Sequence, residues 1–255
     1  MRAAGLVVAR TLELVREQAV PGMTTADIDD IARTQLLDAG ATSSFLGYHG
    51  FPATICVSVN EEVVHGIPGA KPLRDGDLVS VDFGAIIEGW HADAAVSFGL
   101  GDVDGTSRRL IDVTERSLWA GLAKAVSGNR LSDISHAVET CVRADGEWHV
   151  IEDYVGHGIG SHMHMEPPVP NYGPPGKGLE LKVGMALAIE PMVTVGTIDT
   201  RVLEDDWTVV TIDDSRAAHW EHTVCITESG PWVTTALDGG VAKLAALGVT
   251  VAARD

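Results

Sequence analysis

The spacing of apolar residues near the N-terminus predicts two helices separated by a turn. Within residues 5–18 apolar side chains recur at close to helical spacing, and Pro21-Gly22 stops the helix. Thr25 is the predicted N-cap of a second helix over 26–39, and Gly40 follows its last residue.

Later in the chain, short runs rich in Val and Ile predict strands, because such runs bounded by Gly or Pro are typical of buried sheet. The predicted strands are 78–87, 186–189, 193–195 and 224–227. Loops are predicted at 99–107 and 171–178, which are rich in Gly, Asp and Pro. The mixture of helices and strands indicates an α/β (α+β) protein.

The chain also repeats itself. An Asp and a closing Gly stand 13 positions apart in Asp27–Gly40 and again in Asp133–Gly146. Three further pairs occur in the same order in both halves: His65-Gly-Ile with His157-Gly-Ile, 73–82 with 181–190, and 91–96 with 219–224. We therefore predict one pseudo-two-fold domain over 1–255, with halves at about 1–105 and 106–240 and a tail at 236–255.

In this duplication each half keeps two carboxylates at matching positions. Asp82 and Glu190 lie in or at the end of apolar strands, and Asp93 and Glu221 stand at a second pair of equivalent positions. A buried carboxylate without a partner costs several kcal/mol. Because few basic residues stand near these strands, the sequence favours metal binding over ion pairs.

Four negative charges would be balanced by two divalent cations. An oxygen-rich ligand set with one imidazole suits cobalt, manganese or iron(II) rather than a closed thiolate zinc site, and zinc and nickel stay open as alternatives. Two metal ions a few Å apart are typical of sites that hydrolyse amides.

The histidines differ in their sequence context. His157 and His164 flank a Gly-rich run, and either could supply the missing nitrogen ligand. His65 lies in a Gly/Pro turn and is a candidate for substrate binding or proton transfer. His91 and His219 are expected to orient neighbouring carboxylates.

Composition narrows the functional classes. Of the 255 residues, 18 are basic and 36 acidic, which gives a net charge of −18. This charge argues against nucleic-acid binding. The three widely spaced cysteines fit neither a disulfide framework nor a C-x-x-C metal site, and no signal peptide or membrane-spanning run is visible. We expect a cytoplasmic protein without a membrane partner.

Several long phrases resemble the type I (bacterial) methionine aminopeptidases. The resemblance covers nearly the whole chain, and its most specific phrases are 44–68, 75–98, 156–173, 187–196 and 205–224. It implies the pita-bread fold, a curved antiparallel sheet with helices on its outer face. It also implies removal of the initiator methionine from nascent proteins when the second residue is small.

The resemblance further implies roles for individual residues. The implied metal ligands are Asp82, Asp93, His157, Glu190 and Glu221. The implied catalytic residues are His65, His164 and Glu190, with Glu190 as the proton shuttle and both histidines also in contact with substrate. The residues implied to line the methionine pocket are Tyr48, Phe51, Cys56, Met163 and Trp207.

Some features depart from the family pattern. Phe45 stands where some relatives have a cysteine, Phe51 where tyrosine is common, and Met163 where phenylalanine is frequent. We expect a chain without the N-terminal extension found in some relatives, and therefore no ribosome docking that depends on such an extension. Transient ribosome association by other means and a monomeric state are further expectations.

Two alternatives remain at this stage. One is an X-Pro aminopeptidase or prolidase of the same fold, which shares single motifs such as GHGIG (156–160). The other is a catalytically inactive pita-bread protein that binds peptides.

Overall fold

The computed structural model describes residues 1–249 and 251. The helices are α1 (Arg2–Gln18), α2 (Thr25–Asp38), α3 (Gly105–Leu122), α4 (Leu131–Ala144) and α5 (Val241–Ala246), with one 3₁₀ turn at Tyr48–Gly50. The strands are β1 (Thr42–Ser43), β2 (Cys56–Val59), β3 (Glu62–Val64), β4 (Leu78–Ile87), β5 (Trp90–Gly99), β6 (His149–Val150), β7 (Gly156–Gly158), β8 (Met165–Val169), β9 (Ala186–Ile189), β10 (Met192–Thr194), β11 (Thr200–Val202), β12 (Val209–Thr211), β13 (Ala217–His219), β14 (Glu221–Thr227) and β15 (Gly230–Val233).

The start of α2 differs by one residue from the prediction. Thr24, not Thr25, is the N-cap: its hydroxyl accepts a hydrogen bond from the Asp27 amide, and the Asp27 carboxylate accepts one from the Thr24 amide at 2.6 Å. The Thr25 hydroxyl instead bonds the backbone of Gly69. Both adjacent threonines have a side chain that can cap a helix, and the contact of Thr25 with Gly69 leaves Thr24 as the N-cap.

The main sheet has nine strands, and every pairing in it is antiparallel. Its order is β1-β4-β5-β14-β9-β7-β8, with β2 also on β4 and β15 also on β14. At the centre of the sheet, β5 pairs with β14. The strand β4 lies on the other side of β5, and β9 lies on the other side of β14. The four central strands are therefore β4, β5, β14 and β9, with the strands of the predicted halves meeting between β5 and β14.

One prediction about the connecting segments needs correction. Residues 99–107 are not entirely loop, because α3 begins at Gly105, where the Asp104 carboxylate caps the helix by accepting from the Ser107 amide at 2.9 Å. The predicted tail 236–255 contains α5. Residues 250 and 252–255 of that tail lie outside the described residues.

The apolar core lies between the sheet and the helices. Ala92, Ala94 and Val96 of β5 belong to the same buried cluster as α1 residues such as Val8, because alternate side chains of a strand point to one face. The residues between them point to the opposite face, which is where a polar site can form. Across residues 1–249 and 251, no helix is both long and apolar enough to cross a membrane.

Candidate metal centre and active-site cavity

A cavity of about 190 Å³ gathers the residues that the sequence singles out. All of the side chains predicted for metal binding, catalysis or substrate binding line it: Asp82, Asp93, His157, Glu190, Glu221, His65, His164, Tyr48, Phe51, Cys56, Met163 and Trp207. The structure thus brings together residues from both halves of the chain, while their individual roles stay predictions.

The central strands place four carboxylates at this cavity. Asp82 and Asp93 lie within β4 and β5, Glu221 opens β14, and Glu190 directly follows β9. In the sheet register, both Asp82 and Glu221 stand opposite Ala95. The antiparallel pairing of neighbouring strands is therefore what brings these side chains together.

Three of these carboxylates have an oxygen with no hydrogen-bond partner. The Oδ1 atoms of Asp82 and Asp93 and the Oε1 atom of Glu221 are buried, and no donor among the described residues reaches them. Buried polar atoms in folded proteins are normally paired. Several carboxylates with unpaired, buried oxygens around one cavity indicate a cation-binding site.

Electrostatics supports the same conclusion. Burial, followed by repulsion from neighbouring carboxylates, raises the pKa of Asp82, Glu190 and Glu221 well above their ordinary values. Burial also raises the pKa of Asp93, to about 7. None of the residues that line this cavity is a lysine or arginine, so a bound cation is the remaining means of stabilising the charged forms.

The donor atoms are close enough to share such a cation. One atom each from Asp93, His157 and Glu221 can lie within 4.8 Å of one another, and so can one atom each from Glu190, His219 and Glu221. Carboxylate oxygens and imidazole nitrogens suit divalent transition metals. The residues present therefore fit a divalent metal centre.

His157 has its ring fixed for metal binding. Its Nδ1 lies 2.9 Å from the carbonyl oxygen of Gly158, and because a carbonyl can only accept, Nδ1 must carry the proton. The Nε2 lone pair is then free, 3.6 Å from Glu190 Oε1. Burial, with a smaller contribution from His164, lowers the pKa of His157 to about 4, so the ring is neutral as a ligand must be.

His164 stands directly beside His157, with 4.3 Å between the ring centroids. Its Nδ1 lies 2.7 Å from the hydroxyl of Tyr48. Burial raises the pKa of Tyr48 and lowers that of His164, so phenol and imidazole are both neutral at pH 7. Tyr48 therefore holds the orientation of the His164 ring.

His65 adopts a backbone conformation that is rare for residues other than glycine, with φ of 61°. The next residue, Gly66, passes so close to β2 that an added Cβ would collide with the carbonyl of Val57. The His65 ring lies between Tyr154 and Trp207, with centroid distances of 5.9 and 6.2 Å. Burial, with a smaller contribution from His164, lowers its pKa to about 4.

The remaining wall of the cavity is apolar. Phe51 packs edge-on against Phe45 and Trp207, with centroid distances of 6.4 and 5.0 Å. Cys56 and Met163 belong to the same buried cluster. Cys56 lies opposite Asp82 across the β2–β4 pair, so the apolar wall directly adjoins the carboxylates.

Comparison with known proteins decides the family. Residues 1–228 match the model of metallopeptidase family M24. The chain belongs to this family. It is therefore a hydrolase whose family uses metal, and its carboxylate cluster is the candidate place for that metal.

Individual relatives of this M24 peptidase share most of its length. It is 52% identical over 241 residues to methionine aminopeptidase 1 of Mycobacterium tuberculosis, covering 92% of this chain and 91% of the relative. It is 49% identical to methionine aminopeptidase 1 of Bacillus subtilis, covering 90% and 92%. The family resemblance predicted from sequence is confirmed.

Solved structures confirm the predicted pita-bread fold. The methionine aminopeptidase of Thermotoga maritima superimposes with a TM-score of 0.91 at 45% identity, covering 92% of this chain and 95% of that one. A prolidase from Pyrococcus furiosus gives 0.72 at 20% identity, covering 92% and 62%. The second likeness concerns the fold alone.

The structure also adds residues to the site of this M24 peptidase. Phe45, Tyr154 and Val155 line the cavity although they were not among the predicted site residues. Phe45 had a sequence signal, since it is one of the departures from the family pattern. Tyr154 and Val155 lie just before the GHGIG phrase and reach the cavity only through the fold.

The predicted role of His91 does not match its hydrogen bonding, because its Nδ1 bonds the hydroxyl of Ser44 at 2.9 Å and not a carboxylate. His219 is nearer to its expected role. Its Nε2 lies 3.8 Å from Glu221 Oε2, is buried, and has no hydrogen-bond partner among the described residues.

Proposed function

We propose that this chain removes N-terminal methionine from nascent polypeptides. The observation that carries the proposal is that unpaired, buried carboxylate oxygens and a closed apolar wall with sulfur atoms and aromatic rings share one small cavity. A thioether side chain suits such a wall, because sulfur and aromatic groups attract one another. The names of the most similar full-length relatives support the same activity.

We propose that two divalent ions are held by the five predicted ligands Asp82, Asp93, His157, Glu190 and Glu221, with cobalt, manganese or iron(II) favoured over zinc or nickel. The four carboxylates among them would balance the charge of two such ions. When bound, the ions supply Lewis acidity toward the scissile carbonyl and lower the pKa of water.

The chain's own residues then supply positioning and proton transfer. Glu190 directly follows β9, and its backbone carbonyl accepts a hydrogen bond from the Asn171 side chain at 3.1 Å, which holds the main chain at this position. In the proposal, a Glu190 Oε atom accepts a proton from the attacking water and passes it to the leaving amine. Neutral His65 and His164 donate N–H hydrogen bonds to the substrate amide and to the oxygen that gains negative charge.

The size of the apolar wall sets the preference for the first side chain. Phe51, Cys56, Met163 and Trp207 enclose a space of the order of one long side chain within the cavity of about 190 Å³. Preference for a small second residue is part of the proposal and is supported by the family resemblance. The X-Pro peptidase alternative is not favoured, because the prolidase likeness is at only 20% identity.

We also propose that the enzyme works as a monomer in the cytoplasm, with transient ribosome association as a further prediction. The whole described chain acts as a single domain in this proposal. The boundaries between its two halves, at about residue 105, stay a prediction.

The test is release of methionine from a Met-Gly peptide by metal-free protein reloaded separately with manganese, cobalt, iron(II), zinc or nickel. An X-Pro peptide is the competing substrate. We expect methionine release with at least one metal and no cleavage of the X-Pro peptide. Absence of turnover with every metal, or preferential X-Pro cleavage, would contradict the proposal.

A further inference from the structure

A second cavity, of about 330 Å³, lies on the helical side of the sheet. One face of α1 forms its first wall, through Ala9, Leu12, Glu13 and Arg16, which follow the spacing of a single helix face. The rest is formed by Val96 of β5, Glu115 in the middle of α3, Trp220 just before β14, His222 near the start of β14, and the segment 235–238. It shares no lining residue with the metal cavity.

The floor of this outer cavity carries a buried polar side chain. His222 is only 8% exposed, and its ring packs edge-on against Trp119 at 5.2 Å. Its Nδ1 bonds the hydroxyl of Thr235 at 2.9 Å, whereas no side chain of residues 1–249 or 251 bonds its Nε2. A neutral imidazole has one donor and one acceptor, so Nε2 is left for a group inside the cavity.

The rim of the outer cavity carries two oppositely charged side chains that form no ion pair within the described residues. Glu13 and Arg16 are exposed, three positions apart on α1, and within the described part of the chain neither forms an ion pair. The other rim carboxylates are already engaged. Glu115 binds Lys243 at 2.7 Å, and Asp238 accepts hydrogen bonds from the backbone at the start of α5.

Between rim and floor the walls are apolar. Leu12 and Val96 are buried, whereas Leu237 is 49% exposed at the opening. A ligand for this cavity therefore needs a cationic and an anionic group within a few Å of each other, next to a short apolar body. A volume of about 330 Å³ is at the lower end of the range for small-molecule sites, which starts at about 300 Å³.

We infer that the outer cavity is a binding site for a free α-amino acid with an apolar side chain. The ammonium group binds the Glu13 carboxylate, and the carboxylate group binds the Arg16 guanidinium in the geometry that guanidinium favours. The side chain lies between Leu12, Val96 and Leu237. This inference concerns a different surface from the metal cavity and does not depend on the proposed peptidase activity.

The test uses metal-loaded enzyme labelled with 5-fluorotryptophan and followed by ¹⁹F NMR. Trp220 lines the outer cavity and Trp207 lines the metal cavity, so their resonances report the two sites separately. Single Trp→Phe variants assign the two resonances. L-leucine and L-methionine are titrated to concentrations on the order of 10 mM, with leucine amide and 4-methylpentanoate as probes that each lack one charge.

We expect both amino acids to shift the Trp220 resonance saturably. Glu13→Gln and Arg16→Gln should each weaken this response about tenfold or more, as loss of a charge-assisted hydrogen bond does. The matched control variants Arg10→Gln and Glu17→Gln change exposed residues of α1 outside the cavity and should leave the response unchanged.

Three results would overturn the inference. They are a Trp220 resonance that no amino acid shifts, a shift that persists unchanged in Arg16→Gln, and an equal response to leucine amide or 4-methylpentanoate. The Trp207 response is judged separately. Its absence would weaken the proposed methionine pocket and would leave the result at Trp220 intact.

Discussion

The two halves of the chain supply the same kind of ligand through different local structures. Asp82 and Asp93 stand 11 positions apart on one hairpin, whose strands pair over ten residues each. Glu190 and Glu221 stand 31 positions apart, and their strands pair over four. The first half thus forms its part of the site by local pairing, whereas the second depends on strands that meet only in the finished fold.

Side-chain length follows this difference. The aspartates lie within long, continuous strands, where a short side chain reaches the cavity. The glutamates lie at strand ends, one directly after β9 and one at the start of β14, where one additional methylene extends the reach. In the predicted duplication each pair of carboxylates occupies one repeated position, and we expect the local backbone to determine whether Asp or Glu reaches the cavity.

The largest expected effect on activity comes from exchanging aspartate for glutamate, and glutamate for aspartate, at the carboxylate positions of the central strands. Asp93→Glu and Glu221→Asp each keep the charge but move the carboxylate by about one bond length from the place that the sheet register sets. We expect each to lower kcat/KM for a Met-Gly peptide on the order of 10³-fold, since displaced charges lose most of their stabilising effect.

The control for this exchange is Asp112→Glu, an exposed position on α3 away from the cavity, which should retain full activity. Full activity in Glu221→Asp would show that carboxylate length at strand ends is not set by the fold.

The next comparison concerns His65 and His157, which occupy equivalent positions in the repeated His-Gly-Ile motif. His157 presents its Nε2 toward the carboxylates, whereas His65 lies between two aromatic rings. His157→Ala should therefore reduce bound metal, measured by elemental analysis of the purified protein. His65→Ala should keep its metal and lose activity about 10²-fold. Equal metal content in both variants would contradict this division of roles.

A smaller effect is expected from pH in the metal-free protein. The pKa of Asp93 is raised by burial from 3.8 to about 7, so the folded state binds more protons than the unfolded state between these values. The contribution of Asp93 to stability should accordingly be complete below about pH 4, decline as the pH rises, and be lost above about pH 7. Each kcal/mol lost lowers the Tm by about 2–4 °C in a chain of this size.

Calorimetry of the metal-free and metal-loaded protein across this pH range checks the expectation. Asp93→Asn should flatten the decline in the metal-free protein, because the amide has no charge to desolvate. A Tm difference between the wild-type protein and Asp93→Asn that does not change between pH 4 and 7 would contradict the assigned environment of Asp93.

The smallest expected effect compares the helix caps of the two halves. Thr24 caps α2 with its side chain, whereas Arg130 stands at the same point of α4 with no side-chain hydrogen bond to the helix. Thr24→Ala should destabilise the protein by about 1 kcal/mol, and Arg130→Thr should stabilise it by about 0.5–1 kcal/mol. Urea unfolding measures both, with Thr34→Ala as a mid-helix comparison. No change in either cap variant would show that tertiary contacts alone fix these helix ends.

Sequence reasoning predicted those parts of the molecule that are repeated or periodic. The strand 78–87 was predicted from its run of Val and Ile, and the four carboxylates from the repeated positions in the two halves, because both features leave a direct trace in the residues. Tyr154 and Val155 reach the cavity through tertiary packing, which leaves no local pattern. The helix start at Gly105 was missed because a Gly- and Asp-rich segment resembles a loop until its capping bond is seen.

The contact between β5 and β14 has a consequence for how the protein is made. Glu221 and Asp93 are 128 positions apart in the chain, yet their strands pair directly at the centre of the sheet. Contacts this distant in sequence form late in folding, since a long loop must close first. We therefore expect the candidate metal centre to assemble only after both halves have joined, and metal uptake during refolding to report that moment.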